Sequence, residues 1–257
     1  MVNELRHRDP LLFWIGAAML LALVVCALLS IGDQRQVLGI NVWIKPIKFL
    51  TSVPIFLWTV AWFMAETRPD GRGRSIVRWT IGSAMAVEII CILIQAARGT
   101  TSHFNNQSPF DAIVFGIMGA GIVANTIAMI VFLAIIRRDT PPHRAGYIWG
   151  IRLGLVLFLL ASFQGWVIIG NNAHTVGAPD GGPGLPFVNW STTNGDLRIA
   201  HFFGMHAFQA LPWLGVFLDR INSRAARNVV VATSILWVGM MGGSLLMALQ
   251  GRPLLAR

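Results

Sequence analysis

Long apolar runs follow one another along most of the 257-residue chain. A helix needs about 20 apolar residues to cross the hydrocarbon core of a bilayer, because each residue adds about 1.5 Å. Runs of this length predict an all-α fold, a polytopic transmembrane bundle of about seven helices in a single domain, residues 1–257. The predicted spans are 11–32, 46–65, 76–98, 110–136, 146–170, 197–218 and 228–249.

The composition agrees with a chain whose solvent is largely lipid. Hydrophobic residues make up 55% of the chain and charged residues 12%, whereas a soluble domain carries about 25% charged residues. The net charge is +9, but the basic residues lie in short loops between the apolar runs, so membrane topology explains them better than nucleic-acid binding. We expect the lipid bilayer, and no nucleic acid, as a partner. Nothing indicates a eukaryotic secretory route, so the expected location is a cell membrane, the bacterial inner membrane.

The distribution of basic residues predicts the orientation. Cytoplasmic loops carry an excess of Lys and Arg, and a cytoplasmic N-terminus places 13 of the 20 basic residues inside. The sequence therefore predicts an inside N-terminus and an outside C-terminus. The predicted inside set is Arg6, Arg8, Arg68, Arg72, Arg74, Arg78, Arg137, Arg138, Arg144, Arg152, Arg220, Arg224 and Arg227, and the outside set is Arg35, Lys45, Lys48, Arg98, Arg198, Arg252 and Arg257.

Two predicted outside loops differ from the short Arg-rich inside loops. One covers 97–111, and the other covers 170–196 and is rich in Gly, Pro and Asn. Long loops without secondary structure are usually functional or disordered. The second loop also contains Leu185, Phe187 and Trp190, which argue against a fully solvated segment. We expect this loop to fold over the outer mouth of the bundle.

Polar residues recur at helical spacing in the third span. Glu88, Cys91, Gln95 and Arg98 follow one another at steps of three, four and three, so they share one helical face. Ionisable groups inside spans are costly and therefore indicate function. The face either forms a wall of a polar cavity, with Glu88, Gln95 and Arg98 as candidate catalytic or proton-relaying residues, or holds a structural ion pair.

Two lysines at the start of the second span are candidate partners of Glu88. Lys45 and Lys48 flank Pro46, and a buried carboxylate is expected to take up a proton unless it is paired. The alternative is that the ammonium groups extend to the membrane interface. We favour the membrane interface for Lys45. For Lys48, one turn deeper, neither interpretation is favoured over the other.

Histidines and glutamines concentrate in the predicted outer half. His201 and His206 lie five residues apart in the sixth span, about 140° apart around the helix, so they are not expected to bind one metal ion together. The sequence predicts a histidine-bearing site in the outer leaflet, although a histidine in a span is more often a packing residue. The candidate cofactor-binding residues are His201, His206, Gln164 and Gln209, and the candidate metal ligands are His103 and His174.

Histidine with carboxylate is typical of zinc, iron or copper sites, and histidine alone on facing helices is typical of haem ligation. Haem or a transition metal is therefore the expected cofactor. The two cysteines, Cys26 and Cys91, both lie inside apolar runs, which indicates buried thiols and no disulfide framework.

Glycines form two clusters in the spans, for which we expect close helix contacts. Gly116, Gly119 and Gly121 belong to the fourth span, and Gly239 and Gly242 with the neighbouring Gly243 belong to the seventh.

The run QGWVIIG at 164–170, the Gly/Pro-rich loop after it and His201 in the next span resemble the haem A synthases. The resemblance covers about 50 residues and implies haem ligation at His201. The chain departs from that family because it has no His-Arg dipeptide on a span and no paired loop cysteines, and because the family has eight spans. The segments WIKPIKF and DGGPGLP are similar to an uncharacterised bacterial family of seven-span membrane proteins, which implies no activity.

Two other seven-span classes do not fit. The last predicted span has no lysine for a retinal, and the HxxxxH spacing at 201–206 differs from the HxxxH pair of alkaline ceramidase-like hydrolases. The leading hypothesis is a haem- or metal-binding protein for electron transfer or oxidoreductase chemistry. The alternatives are a carrier or receptor for a small solute or lipid without catalysis, an intramembrane metal-dependent hydrolase, and a scaffolding subunit.

Overall fold

A computed structural model describes residues 2–67, 71–137 and 140–255, apart from the side chain of Ser223. The described residues form seven α-helices, two short 3-10 helices and two antiparallel hairpins, so the all-α prediction is confirmed. The helices are α1 (Val2–Arg8), α2 (Pro10–Gly32), α3 (Ile44–Phe63), α4 (Gly71–Ala97), α5 (Pro109–Ile135), α6 (Ala145–Asn171) and α7 (Leu197–Leu249), and the 3-10 helices are Met64–Glu66 and Pro142–Arg144. The strands are β1 (Gln36–Val37), β2 (Ile40–Asn41), β3 (Thr175–Val176) and β4 (Gly195–Asp196). Three residues of the orientation prediction, Arg68, Arg138 and Arg257, lie outside the described residues.

Within the described ranges, six helical segments are long and apolar enough to cross a membrane, rather than the seven that the sequence predicts. They are Pro10–Gly32, Ile44–Glu66, Gly71–Ala97, Pro109–Ile135, Pro142–Asn171 and Arg224–Leu249. The chain is therefore a multi-pass integral membrane protein. The predicted span 197–218 is helical as part of α7, but its two histidines, Gln209 and Pro212 lower its mean hydropathy below that of the other six.

The chain forms two compact units, Met1–Ile135 (unit 1) and Ile136–Arg257 (unit 2). That both belong to one transmembrane domain, and that the N-terminus lies inside, stay predictions.

Unit 1 packs α2 against α3 and α4 against α5. Asp9 caps α2 by accepting a hydrogen bond from the backbone N–H of Leu12 at 3.1 Å, and Pro10 occupies the first turn, where its missing N–H costs nothing. The indole of Trp58 lies against Gly16 and donates a hydrogen bond to the carbonyl of Phe13 at 3.2 Å.

The two loops at one end of unit 1 contact each other. Arg35, between α2 and the β1–β2 hairpin, donates a hydrogen bond to the carbonyl of Ala97 at 3.0 Å. This contact brings residues 33–43 and 98–108 together at what we call the loop end of unit 1. The opposite end contains Asp9 and Arg78.

Unit 2 is built on the contact between α6 and α7. Gly146, Gly150 and Gly154, spaced four residues apart on α6, face the α7 backbone. A Cβ at Gly154 would lie 2.8 Å from the carbonyl oxygen of Ala207, and one at Gly150 would lie 2.5 Å from that of Leu211. These contacts require glycine, because any side chain would displace the partner backbone.

The predicted glycine clusters do not make such contacts. Among the described residues, no atom lies within 4 Å of the Cβ position at Gly116, Gly119, Gly239, Gly242 or Gly243. At Gly121 the nearest atom, the carbonyl oxygen of Ala84, is 3.9 Å away. The predicted helix contact is therefore found at Gly121, at ordinary van der Waals distance, and is absent among the described residues at the other five glycines, because glycine spacing alone does not tell which face another helix covers.

The helix α7 contains a break at Asn222, whose φ of −152° and ψ of 86° are extended. The loop before α7 is ordered by the β3–β4 pair and by a bridge between Gly184 and Ser191. Gly195 in β4 lies directly against the backbone of Ala248 near the end of α7. This long loop is therefore packed on unit 2 rather than extended into solvent.

Candidate functional site

A polar cluster at the loop end of unit 1 combines a carboxylate, an imidazole and an ammonium group. Glu88 on α4 is 3% exposed, and its Oε1 lies 3.6 Å from Nε2 of His103 in the loop after α4. On the other side of the ring, Nζ of Lys45 lies 3.1 Å from Nδ1 of His103. The Lys45 ammonium also acts electrostatically on Glu88. We call Lys45, Glu88 and His103 the Glu88 cluster.

The donor and acceptor capacities of the three side chains determine which ring nitrogen of His103 carries the proton. An ammonium group can only donate, so Nδ1 of His103 accepts from Lys45. A neutral imidazole then carries its proton on Nε2, on the side of Glu88. The 3.6 Å separation is longer than a hydrogen bond, so the contact with Glu88 is electrostatic. The second carboxylate oxygen of Glu88, Oε2, is buried and has no hydrogen-bond partner among the described residues.

Aromatic rings surround His103. Its ring centroid lies 6.2 Å from that of Phe49, 6.3 Å from that of Phe104 and 6.1 Å from that of Phe115. These rings come from α3, the loop and α5. They lower the local polarity, which strengthens the electrostatic interactions inside the cluster.

The other polar residues of the predicted α4 face join a second network. Gln95, fully buried, donates a hydrogen bond to Asp111 on α5 at 2.8 Å. Arg98 donates to both Gln95 and Asp111, and Ser108 donates to the other oxygen of Asp111. The face predicted from the spacing exists, because Glu88, Cys91 and Gln95 are all buried. The structure nevertheless divides its residues between two networks, with Arg98 paired to Asp111.

Unit 2 holds the imidazole of His201 between two acceptors. Its Nδ1 lies 2.9 Å from the carbonyl oxygen of Ala161 and 3.2 Å from Oε1 of Gln164. The amide of Gln164 is oriented by its own hydrogen bond to the carbonyl of Leu197 at 3.2 Å. Because both neighbours of Nδ1 accept, a neutral ring carries its proton there and has its lone pair on Nε2. Gln164 and His201, predicted as cofactor-binding residues, are thus brought together.

The remaining predicted residues have other neighbours. His206 lies against Phe202, with ring centroids 4.2 Å apart. Gln209, three residues further along α7, interacts with the side chain of His206. His174 contacts Asp180 through Nδ1 at 2.7 Å.

Asp180 organises the start of the long loop. It accepts hydrogen bonds from the backbone N–H groups of His174, at 3.1 Å, and Thr175, at 2.8 Å. Burial raises the pKa of the Asp180 carboxyl, but the hydrogen bonds and charge of His174 and the hydrogen bond from Thr175 outweigh it, so the pKa lies well below its usual range. In the loop after α2 of unit 1, the hydrogen bonds from Arg35 hold the pKa of Asp33 well below its usual range.

No group of three or more His, Cys, Asp or Glu side chains within residues 2–67, 71–137 and 140–255 is arranged to hold a metal ion. Of the predicted metal ligands, His103 belongs to the Glu88 cluster and His174 pairs with Asp180. A protein metal site with several such ligands therefore has no support from the described geometry. Haem ligation differs from such a site because it needs only a single axial histidine.

Two contacts of these networks are not predicted by the sequence. The sequence favours the membrane interface for Lys45, whereas in the structure its ammonium contacts His103. It indicates no partner for Arg98, although Asp111 stands in the first turn of α5, where the macrodipole favours an acidic residue. That position is a sequence signal that could have identified Asp111.

Comparison of the chain with protein-family models, with curated proteins and with solved structures found no match.

Proposed function

We propose that this protein is a proton-coupled carrier of a small solute, with Glu88 as its proton-binding group. The observation that carries the proposal is the state of the Glu88 carboxylate, which is buried in a membrane-spanning helix, contacts His103 on one oxygen and has no described partner on the other. Carboxylates and histidines placed in this way inside spans are typical of proton relays in pumps and transporters.

Two opposing effects make proton exchange at Glu88 feasible. Burial favours the neutral carboxylic acid, whereas the nearby Lys45 ammonium favours the carboxylate. His103 lies between the two groups, with Nδ1 toward the Lys45 ammonium and Nε2 toward Glu88. The solute is proposed to move with this change in charge, because a neutral and a charged carboxyl differ in the helix arrangement they stabilise.

The proposal is tested by following the carboxyl group directly. In lipid nanodiscs, infrared difference spectra over the physiological pH range should show the C=O stretch of a protonated carboxylic acid appearing as the pH falls. Glu88→Gln should remove this band. Glu66→Gln is the matched control, because Glu66 is also buried in unit 1, at 4% exposure, but has an interaction partner.

The expected result is loss of the titrating band in Glu88→Gln and its retention in Glu66→Gln. A spectrum without a titrating carboxyl, or one unchanged by Glu88→Gln, would contradict the proposal.

A second candidate function, haem binding, is favoured by the geometry of His201. A ligating histidine commonly donates its other ring N–H to a carbonyl oxygen or a polar side chain, which orients the ring. The contacts of Nδ1 with Ala161 and Gln164 have this form and leave Nε2 to bind iron. His201 would act as an axial ligand, and haem would supply one-electron chemistry.

The absorption spectrum of protein purified from haem-supplied cells tests this candidate. A Soret band that His201→Ala removes and that His206→Ala retains would support it. A colourless protein from such cells would eliminate it and leave the carrier proposal unaffected.

A further inference from the structure

The long loop of unit 2 and the first turn of α7 form a cavity that is partly open to solvent. Its volume is about 280 Å³, close to the lower end of the roughly 300–1,000 Å³ that small-molecule pockets occupy. The lining includes the polar side chains of Asp180, Asn189, Ser191, Thr193, Asn194 and Arg198. The cavity therefore has the size for a small metabolite and a lining that can form hydrogen bonds with it.

Arg198 is a rigid part of this lining. Its Nε donates a hydrogen bond to Oδ1 of Asp196 at 2.9 Å, and its Nη2 donates to Oδ2 of Asp196 and to the carbonyl of Asn189. The side chain of Asp196 is fully buried, so it holds the guanidinium in place. No described residue accepts a hydrogen bond from Nη1 of Arg198. Because the guanidinium is planar, the two N–H groups at Nη1 have a fixed direction and stay available to a ligand.

Two further donors lie in the lining. Oγ of Ser191 accepts hydrogen bonds from the backbone N–H groups of Thr193, at 3.4 Å, and Asn194, at 3.0 Å, so its own proton remains to be donated. Oδ1 of Asn194 accepts from the hydroxyl of Thr193 at 3.0 Å. Within the described part of the chain, Nδ2 of Asn194 has no acceptor. The lining therefore offers a ligand more donors than acceptors.

The carboxylate in the lining, Asp180, offers no open acceptor. Its Oδ1 accepts from the backbone N–H groups of His174 and Thr175. Its Oδ2 lies 3.1 Å from the same backbone nitrogen of His174 and 2.7 Å from Nδ1 of that ring. A carboxylate has about four acceptor positions, so Asp180 orders the loop and leaves none of them for a cationic ligand.

The charges around the cavity are balanced. Asp196 pairs with Arg198. Arg252 follows Gly251, which packs against β3, and its positive charge offsets the negative charge of Asp180. An acidic ligand is therefore not repelled as it approaches Nη1 of Arg198.

We propose that this cavity binds a small hydroxylated organic carboxylate. Nη1 of Arg198 donates to the carboxylate of the ligand, in a charge-assisted hydrogen bond that is stronger than a neutral one. The hydroxyl of Ser191 and the amide of Asn194 donate to its other oxygens. The side chain of Asn189, which has no hydrogen-bond partner among the residues described, can both donate to and accept from the ligand hydroxyls.

This binding site goes beyond the proposed function. It lies within unit 2, whereas the Glu88 cluster lies within unit 1. No residue of the Glu88 cluster lines the cavity. Binding of a carboxylate here therefore does not require Glu88 to exchange a proton.

The test is nuclear magnetic resonance of the ligand, with saturation transferred from the full chain in lipid nanodiscs. The probes are lactate and gluconate, a short and a long hydroxy acid, each compared with its neutral amide, lactamide or gluconamide. The amides keep the hydroxyl groups and lack only the charge. Empty nanodiscs give the background signal.

Asn194→Asp locates the site, because it places a carboxylate in the lining and keeps the oxygen that accepts from Thr193. The matched control is Asn172→Asp, which makes the same change of charge at an exposed position at the end of α6. Asn172 belongs to the same loop but does not line the cavity.

We expect at least one of the two hydroxy acids to bind the wild type, with an affinity at least about tenfold higher than that of its amide. Asn194→Asp should lower this affinity at least about tenfold, because like charges repel. Asn172→Asp should leave it unchanged.

Two results would overturn the proposal. One is that neither acid binds, or that acid and amide bind the wild type equally; this comparison needs no variant and decides the question even if Asn194→Asp does not fold. The other is an affinity that Asn194→Asp leaves unchanged. The infrared test of Glu88 is a separate measurement, so a cavity that binds no carboxylate leaves the proton site standing, and the reverse also holds.

Discussion

A close backbone contact between α6 and α7 allows the effect of a substitution at Gly150 to be predicted quantitatively. A methyl group there would lie 2.5 Å from the carbonyl oxygen of Leu211 and 2.7 Å from Cα of Pro212. Both atoms are backbone atoms, so neither can rotate away. Since ordinary contacts begin at about 3.5 Å, Gly150→Ala requires α6 and α7 to separate locally by about 1 Å.

The expected cost follows from two opposing terms. Overpacking of this kind costs about 1–3 kcal/mol, and the separation also weakens dispersion contacts along the helix pair. Replacing glycine by alanine inside a helix contributes about 1 kcal/mol in the opposite direction. We therefore expect Gly150→Ala to lower the free energy of unfolding by about 1–2 kcal/mol, close to tenfold in the unfolding equilibrium.

Unfolding titrations in mixed detergent micelles, followed by circular dichroism, measure this difference. Gly239→Ala is the matched control, because it is the same substitution in a helix of the same unit, and no described atom lies within 4 Å of its Cβ position. The control should be neutral or stabilising by up to about 1 kcal/mol. A Gly150→Ala variant as stable as the control would refute the reasoning.

Further predictions concern the long loop of unit 2. The lowered pKa of Asp180 contributes stability that is present at neutral pH and is lost as the pH falls below the ordinary aspartate range of about 4. Hydrogen exchange of the loop should become faster as the pH falls in the wild type, relative to the intrinsic exchange rate. The loop of Asp180→Asn should exchange faster already at neutral pH and should not show this loss. Asp196 caps α7 and accepts hydrogen bonds from the backbone and side chain of Arg198. Asp196→Ala should therefore lower the free energy of unfolding by about 1–2 kcal/mol. Asp196→Asn keeps a capping oxygen and should lower it by less.

The sequence by itself determined the class of protein and the helices. A segment in lipid must satisfy its backbone hydrogen bonds internally, and a single apolar run of spanning length does so as a helix. Six of the seven predicted spans accordingly recur as membrane-length helices within the described residues. Helical periodicity also determined the buried face of α4, because residues three and four apart must share a side. The segment 197–218 does not recur as a membrane-length apolar helix, because the histidines and Gln209 that mark it as a candidate site also lower its mean hydropathy.

Only the tertiary structure decided which polar groups meet. Lys45 reaches His103, and Arg98 reaches Asp111, through loops and helix pairings that leave no trace in local periodicity. The same holds for Gly150 and Gly239, which both lie in apolar helices of unit 2 but face a helix backbone in one case and open space in the other. The physical reason is that the spacing of residues along one helix defines its faces, whereas the partner of each face depends on the register between helices.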